Sequence, residues 1–123
     1  MERRIDLSNL DLDEAAALIG RRRAKWLRLG LIVETPTWID NEADWPAPLL
    51  TDREQVRRPM SLGLRLQGQA SEAQFVLYAG GWVDVDYVPV ASDEVITEYV
   101  ELNDVHDFAA LVDRVAARLT GNR

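Results

Sequence analysis

The chain has 123 residues, 47% of them hydrophobic and 28% charged, so it has the length of one domain and a composition that excludes a disordered or fibrous chain. With no cysteine and a single histidine, it cannot build a disulfide framework, a thiol nucleophile, a Cys-based zinc site or a centre that needs two imidazoles. Fourteen basic against 21 acidic residues leave a net charge of −7, concentrated in residues 31–104, which carry four basic and fourteen acidic side chains. A field of that sign disfavours nucleic acid and anionic lipid and steers in a basic protein partner, although acidic surfaces also serve solubility alone.

The opening residues, Met-Glu-Arg-Arg-Ile-Asp-Leu, have no apolar stretch behind the arginines, so no secretory signal is expected. No segment approaches the roughly 20 apolar residues of a membrane span, and cytoplasmic residence is the expectation. Asp11 with Glu14 three residues on has the form of a capping box, and Leu12, Ala16, Ile19, Trp26 and Leu27 follow at near-helical spacing. A helix is therefore predicted over 11–29, stopped at Gly30. Its basic cluster, Arg21, Arg22, Arg23, Lys25 and Arg28, suits the negative end of the helix dipole as well as it suits any ligand.

Residues 31–35 read as a strand leading into Pro36. From there to Pro59 the chain holds four prolines, two tryptophans and no sustained period, so residues 36–60 are expected to form one long irregular loop with a helical turn near 52–58. Leu62, Leu64 and Leu66 then alternate with Gly63, Arg65 and Gln67, as a strand buried on one face requires. Strands over 75–78 and 82–88 are joined at Gly80-Gly81. A two-residue loop there would pair Leu77 with Asp84, whereas a three-residue loop pairs Leu77 with Val83 and Phe75 with Val85. The second register puts like with like and is preferred. It leaves Val76, Tyr78, Trp82, Asp84 and Asp86 on the opposite face. A turn is expected at Pro89 and residues 91–93, and a further strand over 95–102, whose alternation Thr97, Glu98 and Glu101 blur. Asn103 or Asp104 caps a closing helix in which Phe108, Leu111, Val112, Val115 and Leu119 form one apolar stripe.

The expected architecture is a single α+β domain over residues 1–123, a mainly antiparallel sheet of about five strands with the N- and C-terminal helices on one face. The predicted core is Ile19, Trp26, Leu64, Leu66, Leu77, Val83, Val85, Phe108, Leu111, Val112 and Val115.

Chemistry-bearing patterns are sparse. His106 sits about 200° around the last helix from Phe108 and should face solvent. Asp84 and Asp86 share a strand face at roughly 6.5–7 Å and have the form of an acid/base pair, but adjacent solvent-facing acids are far commoner than a glycosidase site. Asp40, Glu42 and Asp44 alternate as in a calcium loop, yet Trp45 stands where such a loop needs glycine and Thr51 where it needs glutamate. No nucleotide cradle or nucleophile elbow occurs. No enzymatic activity, metal or cofactor is therefore expected. What remains is a surface: Trp38, Asp40, Glu42, Asp44 and Trp45 in the long loop, with Tyr78, Trp82, Asp84 and Asp86 on the sheet, tryptophans and tyrosine set among acids as protein interfaces favour.

The stretch AGGWVDVDYVPV, followed by EYVELNDVHDFAALVDRVAARL, resembles the small immunity proteins of bacterial polymorphic toxin systems, in particular those called TriTu-like. The likeness covers residues 62–119 best and 31–60 hardly at all. It implies a non-enzymatic inhibitor that occludes a cognate toxin domain, and it carries over no site residues. The alternative is a small acidic secretion chaperone that dimerises and holds an extended segment of its client.

Overall fold

The computed structural model describes residues 9–89, 91 and 94–121. Helix α1 (Leu12–Arg28) is followed by strands β1 (Ile32–Val33) and β2 (Thr37–Asp40), a 3-10 turn at Arg53–Gln55, strands β3 (Pro59–Gln67), β4 (Ser71–Tyr78), β5 (Trp82–Pro89) and β6 (Ile96–Glu101), and helix α2 (Val105–Leu119). Two helices flank one antiparallel sheet, an α+β fold with one strand more than the sequence pattern predicts. The turn expected at residues 89–93 lies partly outside the described residues.

Both helices start and stop where local chemistry dictates. The Asp11 carboxylate accepts the Glu14 N–H at 3.1 Å and the Asp104 carboxylate that of Asp107 at 2.9 Å, each satisfying a first-turn donor that has no helical acceptor. At the end of α1, Gly30 takes φ +87°, its N–H reaches Leu27 O, and the Leu31 N–H reaches Trp26 O. That is a Schellman closure, and the two residues it brings together, Trp26 and Leu31, are both buried.

Strands β3 to β6 run as an antiparallel meander. In the β4–β5 hairpin Leu77 pairs with Val83 and Phe75 with Val85, the register the hydrophobic pattern selects. The loop is three residues long, with Gly81 at φ +113° and its N–H on Tyr78 O. At the other edge, β1 and β2 both lie antiparallel to β3. Three residues, 34 to 36, separate the paired Val33 and Thr37, against only two, 64 and 65, on β3. The extra residue is a bulge, and Pro36 within it has no N–H to give the ladder.

All core residues named from the sequence are at most 5% exposed. The helices cover the sheet face that carries Leu62, Leu64, Leu66, Phe75, Leu77, Val83 and Val85. Phe108 meets Phe75 edge-on, with ring centroids 6.5 Å apart. The seam is trimmed by ion pairs between Arg22 and Asp113 and between Arg114 and Glu98. The second explains the blurred alternation of β6: Glu98 is on the helix side, opposite Val85, and Arg114 of α2 meets it there.

The long irregular loop expected over 36–60 is corrected in extent. Thr37–Asp40 alternates as a strand and pairs with β3, leaving residues 41–58 as the connection. The prolines that punctuate this stretch hide a four-residue strand too short to announce itself by periodicity.

Candidate functional site

The site is the sheet face turned away from the helices, together with the loop at its β2 margin. Pairing registers place its side chains in cross-strand rows. One row runs Ile39, Ser61, Tyr78, Trp82, Glu101; the next runs Thr37, Gly63, Val76, Asp84, Tyr99; a third runs Arg65, Gln74, Asp86, Thr97. The β5–β6 half is acidic and aromatic.

Tyr78 and Trp82 stack with centroids 5.0 Å apart and planes 21° off parallel. Asp84 is two residues along β5 from Trp82, on the same face, and stands directly opposite Tyr99, so three aromatic rings surround its position. Burial, and after it the negative charge of Asp84, push the Tyr78 hydroxyl above the usual phenol range. Asp86 accepts a 2.8 Å hydrogen bond from the Thr97 hydroxyl. Tyr99 is 57% exposed, and no described helix lies over this face. A guanidinium or ammonium group arriving here meets carboxylates and ring faces together, both of which attract cations.

The loop is held by three devices. First, both Asp40 carboxylate oxygens accept backbone N–H groups, from Glu42, Arg57 and Arg58, each at 3.0 Å, and these bonds hold the carboxyl below its usual range. Second, Trp38 and Leu50 exchange two backbone bonds of 2.7 and 2.9 Å. Third, Arg53 forks onto Asp13 of α1 at 2.7 and 3.0 Å, donates to Val56 O at 2.6 Å and lies 5.4 Å from the Trp38 ring. Val56 is thereby inserted in the core.

This arrangement divides the residues singled out from the sequence. Tyr78, Trp82, Asp84 and Asp86 stand together on the open face. Glu42, Asp44 and Trp45 lie on the exposed part of the loop, Trp45 at 81% exposure. Trp38 and Asp40 do not belong to any presented surface. Trp38 is 4% exposed because strand alternation turns it inward opposite Leu62, and Asp40 is 6% exposed with its oxygens taken by backbone amides. The loop root leaves the sheet at the end where Tyr78 and Trp82 lie. Ile39 is three strands from Trp82 in the same row, roughly 14 Å at 4.8 Å per strand. Toward β1, Leu49 lines a groove of about 230 Å³ together with Glu34, Thr35, Thr37, Gly63, Arg65 and Gln74.

Tyr99, Glu101 and Thr97 complete the face, and sequence reasoning missed them because the register of β6 against β5 is not set by a short turn. Arg53 was missed as well. Its partners are 40 residues away in Asp13 and buried in Trp38, and no local spacing signals either contact. His106 is exposed. Among the described residues no group of three His, Cys, Asp or Glu side chains is placed to share a metal ion, and no helix is long and apolar enough to cross a membrane. No protein-family model matches the chain, and no curated protein or solved structure matches it either.

Proposed function

We propose that this protein is a non-enzymatic inhibitor of the immunity type, which binds a basic surface of a cognate toxin domain through the acidic, aromatic face of its sheet and the Trp45 loop beside it. The observation that carries the reading is the row structure of that face: Tyr78, Trp82 and Tyr99 around Asp84, with Asp86 and Glu101 adjoining, on the side no described helix covers. The net charge of −7 gives such a face long-range attraction for a cationic cleft. The resemblance of residues 62–119 to immunity proteins points the same way.

The test is recovery of the partner by pull-down from the native cells, followed by titration of the purified partner's activity or toxicity with this chain. Stoichiometric suppression by the wild type, lost in folded Asp84→Lys/Asp86→Lys and Trp82→Ala variants, is the expected result. Suppression that survives all three changes places the contact elsewhere. A bound secretion substrate, carried in extended form by a dimer of this chain, replaces the proposal with the chaperone reading.

A further inference from the structure

The three carboxylates of the open face are used differently. Asp86 accepts the Thr97 hydroxyl at 2.8 Å, and Glu101 accepts the Tyr99 hydroxyl at 3.4 Å. Asp84, in the row between them, is half-buried and, among the described residues, takes part in no hydrogen bond or ion pair. Its neighbour across on β4 is Val76, with Gly63 beyond it on β3, and neither has a polar side chain. The basic side chain of the three rows, Arg65, is paired with Glu34 at 3.4 Å toward the β1 margin. A carboxylate placed like Asp84 has given up part of its water without gaining a donor, a cost that an incoming partner can remove.

The surroundings select the donor. Tyr78 and Trp82 stack with centroids 5.0 Å apart, and Asp84 follows Trp82 on the same face, roughly 7 Å along β5. Burial and then the charge of Asp84 hold the Tyr78 hydroxyl above the usual phenol range, so the carboxylate and the ring pair are neighbours in space. An ammonium group would answer the charge alone. A guanidinium is planar, forks onto both oxygens of a carboxylate and lays its weakly hydrated face against aromatic rings. We infer that Asp84 and the Tyr78–Trp82 pair form a slot for one arginine side chain of the partner protein, selective for arginine over lysine. This deepens the proposed inhibitor role and rests on it for the partner, a toxin domain with a basic surface. Asp86 and Glu101, already engaged by hydroxyls, strengthen the local field without anchoring the guanidinium.

The experiment uses the whole chain and three short peptides of glycine and serine, alike except for a central arginine, lysine or citrulline, the last an uncharged mimic of arginine. Shifts of the Trp82 indole N–H and of the backbone amides of residues 76–86 are followed by NMR as each peptide is added at low salt. The arginine peptide is expected to saturate with an affinity about fivefold or more above that of the lysine peptide, and the citrulline peptide to leave the shifts unchanged. Asp84→Asn should weaken arginine-peptide binding about tenfold or more, against less than about threefold for Asp86→Asn, whose carboxylate already has the Thr97 hydroxyl. Equal affinity for arginine and lysine, equal losses in the two asparagine variants, or no saturable arginine binding each overturns the inference. Toxin suppression separates its failure from that of the inhibitor reading. Suppression lost in Asp84→Lys/Asp86→Lys without any arginine preference removes the slot and leaves the acidic face as the inhibitory surface. Arginine preference at Asp84, with suppression that survives those changes, supports the slot and removes the inhibitor reading of the face.

Discussion

The two faces of the sheet are made from the same strands and are buried to very different degrees. Along β4, Ala73, Phe75 and Leu77 are at most 1% exposed, while Gln74, Val76 and Tyr78 between them face outward with polar or partly open neighbours. On β5, Val83 and Val85 are fully buried and Trp82, Asp84 and Asp86 alternate with them. Stability is therefore concentrated on one face and potential contact on the other, one residue apart in sequence. A change on the helix side should be felt in folding and a change on the open side in association.

The largest effect belongs to the helix side. Phe75→Ala removes a ring wholly out of water and its edge contact with Phe108, and is expected to lower unfolding free energy by about 3–5 kcal/mol; Leu111→Ala should cost about 2–5 kcal/mol. Val76→Ala, next to Phe75 but on the open face, should cost less than about 1 kcal/mol. Denaturant unfolding of the three variants checks the contrast. Similar losses for Phe75→Ala and Val76→Ala would show that the open face is itself packed.

Next comes Trp82. Its indole is stacked on Tyr78, so some folding stability goes with it, but a well-placed interface tryptophan loses about 2 kcal/mol or more of binding on truncation. Trp82→Ala should weaken association with the recovered partner by that amount, read by calorimetry, with a melting temperature within several degrees of wild type. A variant that loses stability and keeps affinity would assign Trp82 to the fold and take it out of the interface.

The loop joins the two faces, and its anchors give an acid-dependent prediction. Backbone N–H groups hold the Asp40 carboxyl below its usual range, and the Arg53 guanidinium does the same for Asp13. An acid whose folded pKa is depressed adds stability above its unfolded value of about 3.9 and loses it as the pH falls through the folded value. Thermal stability should accordingly drop as the pH is lowered below about 4, and Asp40→Asn should start lower and respond less over that window. Arg53→Ala should cost about 1–2 kcal/mol at neutral pH, part from an exposed ion pair worth at most about 1 and the rest from its contact with Trp38 and its bond to Val56. Indistinguishable acid profiles for Asp40→Asn and wild type would remove Asp40 as the anchor.

The sequence was most legible where one face is buried. Alternation of Leu62, Leu64 and Leu66, the choice of Leu77 opposite Val83, and the stripe from Phe108 to Leu119 each follow from burial on one side, and burial leaves a period. Where a residue's role is set by partners distant in the chain, no period exists. Asp40 bonds to amides 17 and 18 residues on, so its capping role looks like a surface acid in an acidic stretch. Trp38 lies between Pro36 and Asp40 outside any apolar run, so its sequence fits an interface anchor and partial burial under the loop equally, and a short strand turns it inward. Tyr99 joins the candidate site only through a register that strand chemistry alone does not specify.

The smallest expected change in stability is at Trp45, and it carries the sharpest information on how far the open face extends. Its side chain is 81% exposed and Leu49 nearby is 66% exposed, so neither withdraws much apolar surface from water in the free protein. Trp45→Ala should leave unfolding free energy within about 0.5 kcal/mol of wild type, since nothing packed is removed. An indole presented on a loop pinned by Asp40, Leu50 and Arg53 has already lost much of its backbone freedom, which lowers the entropy still to be given up on binding. If the loop and the sheet face form one interface, Trp45→Ala weakens the partner complex mainly through faster dissociation, while reversal of Asp84 and Asp86 slows association and removes its salt dependence. Wild-type dissociation for Trp45→Ala beside a clear loss for Trp82→Ala would confine the contact to the β5–β6 half of the sheet, where the acids and aromatic rings are densest.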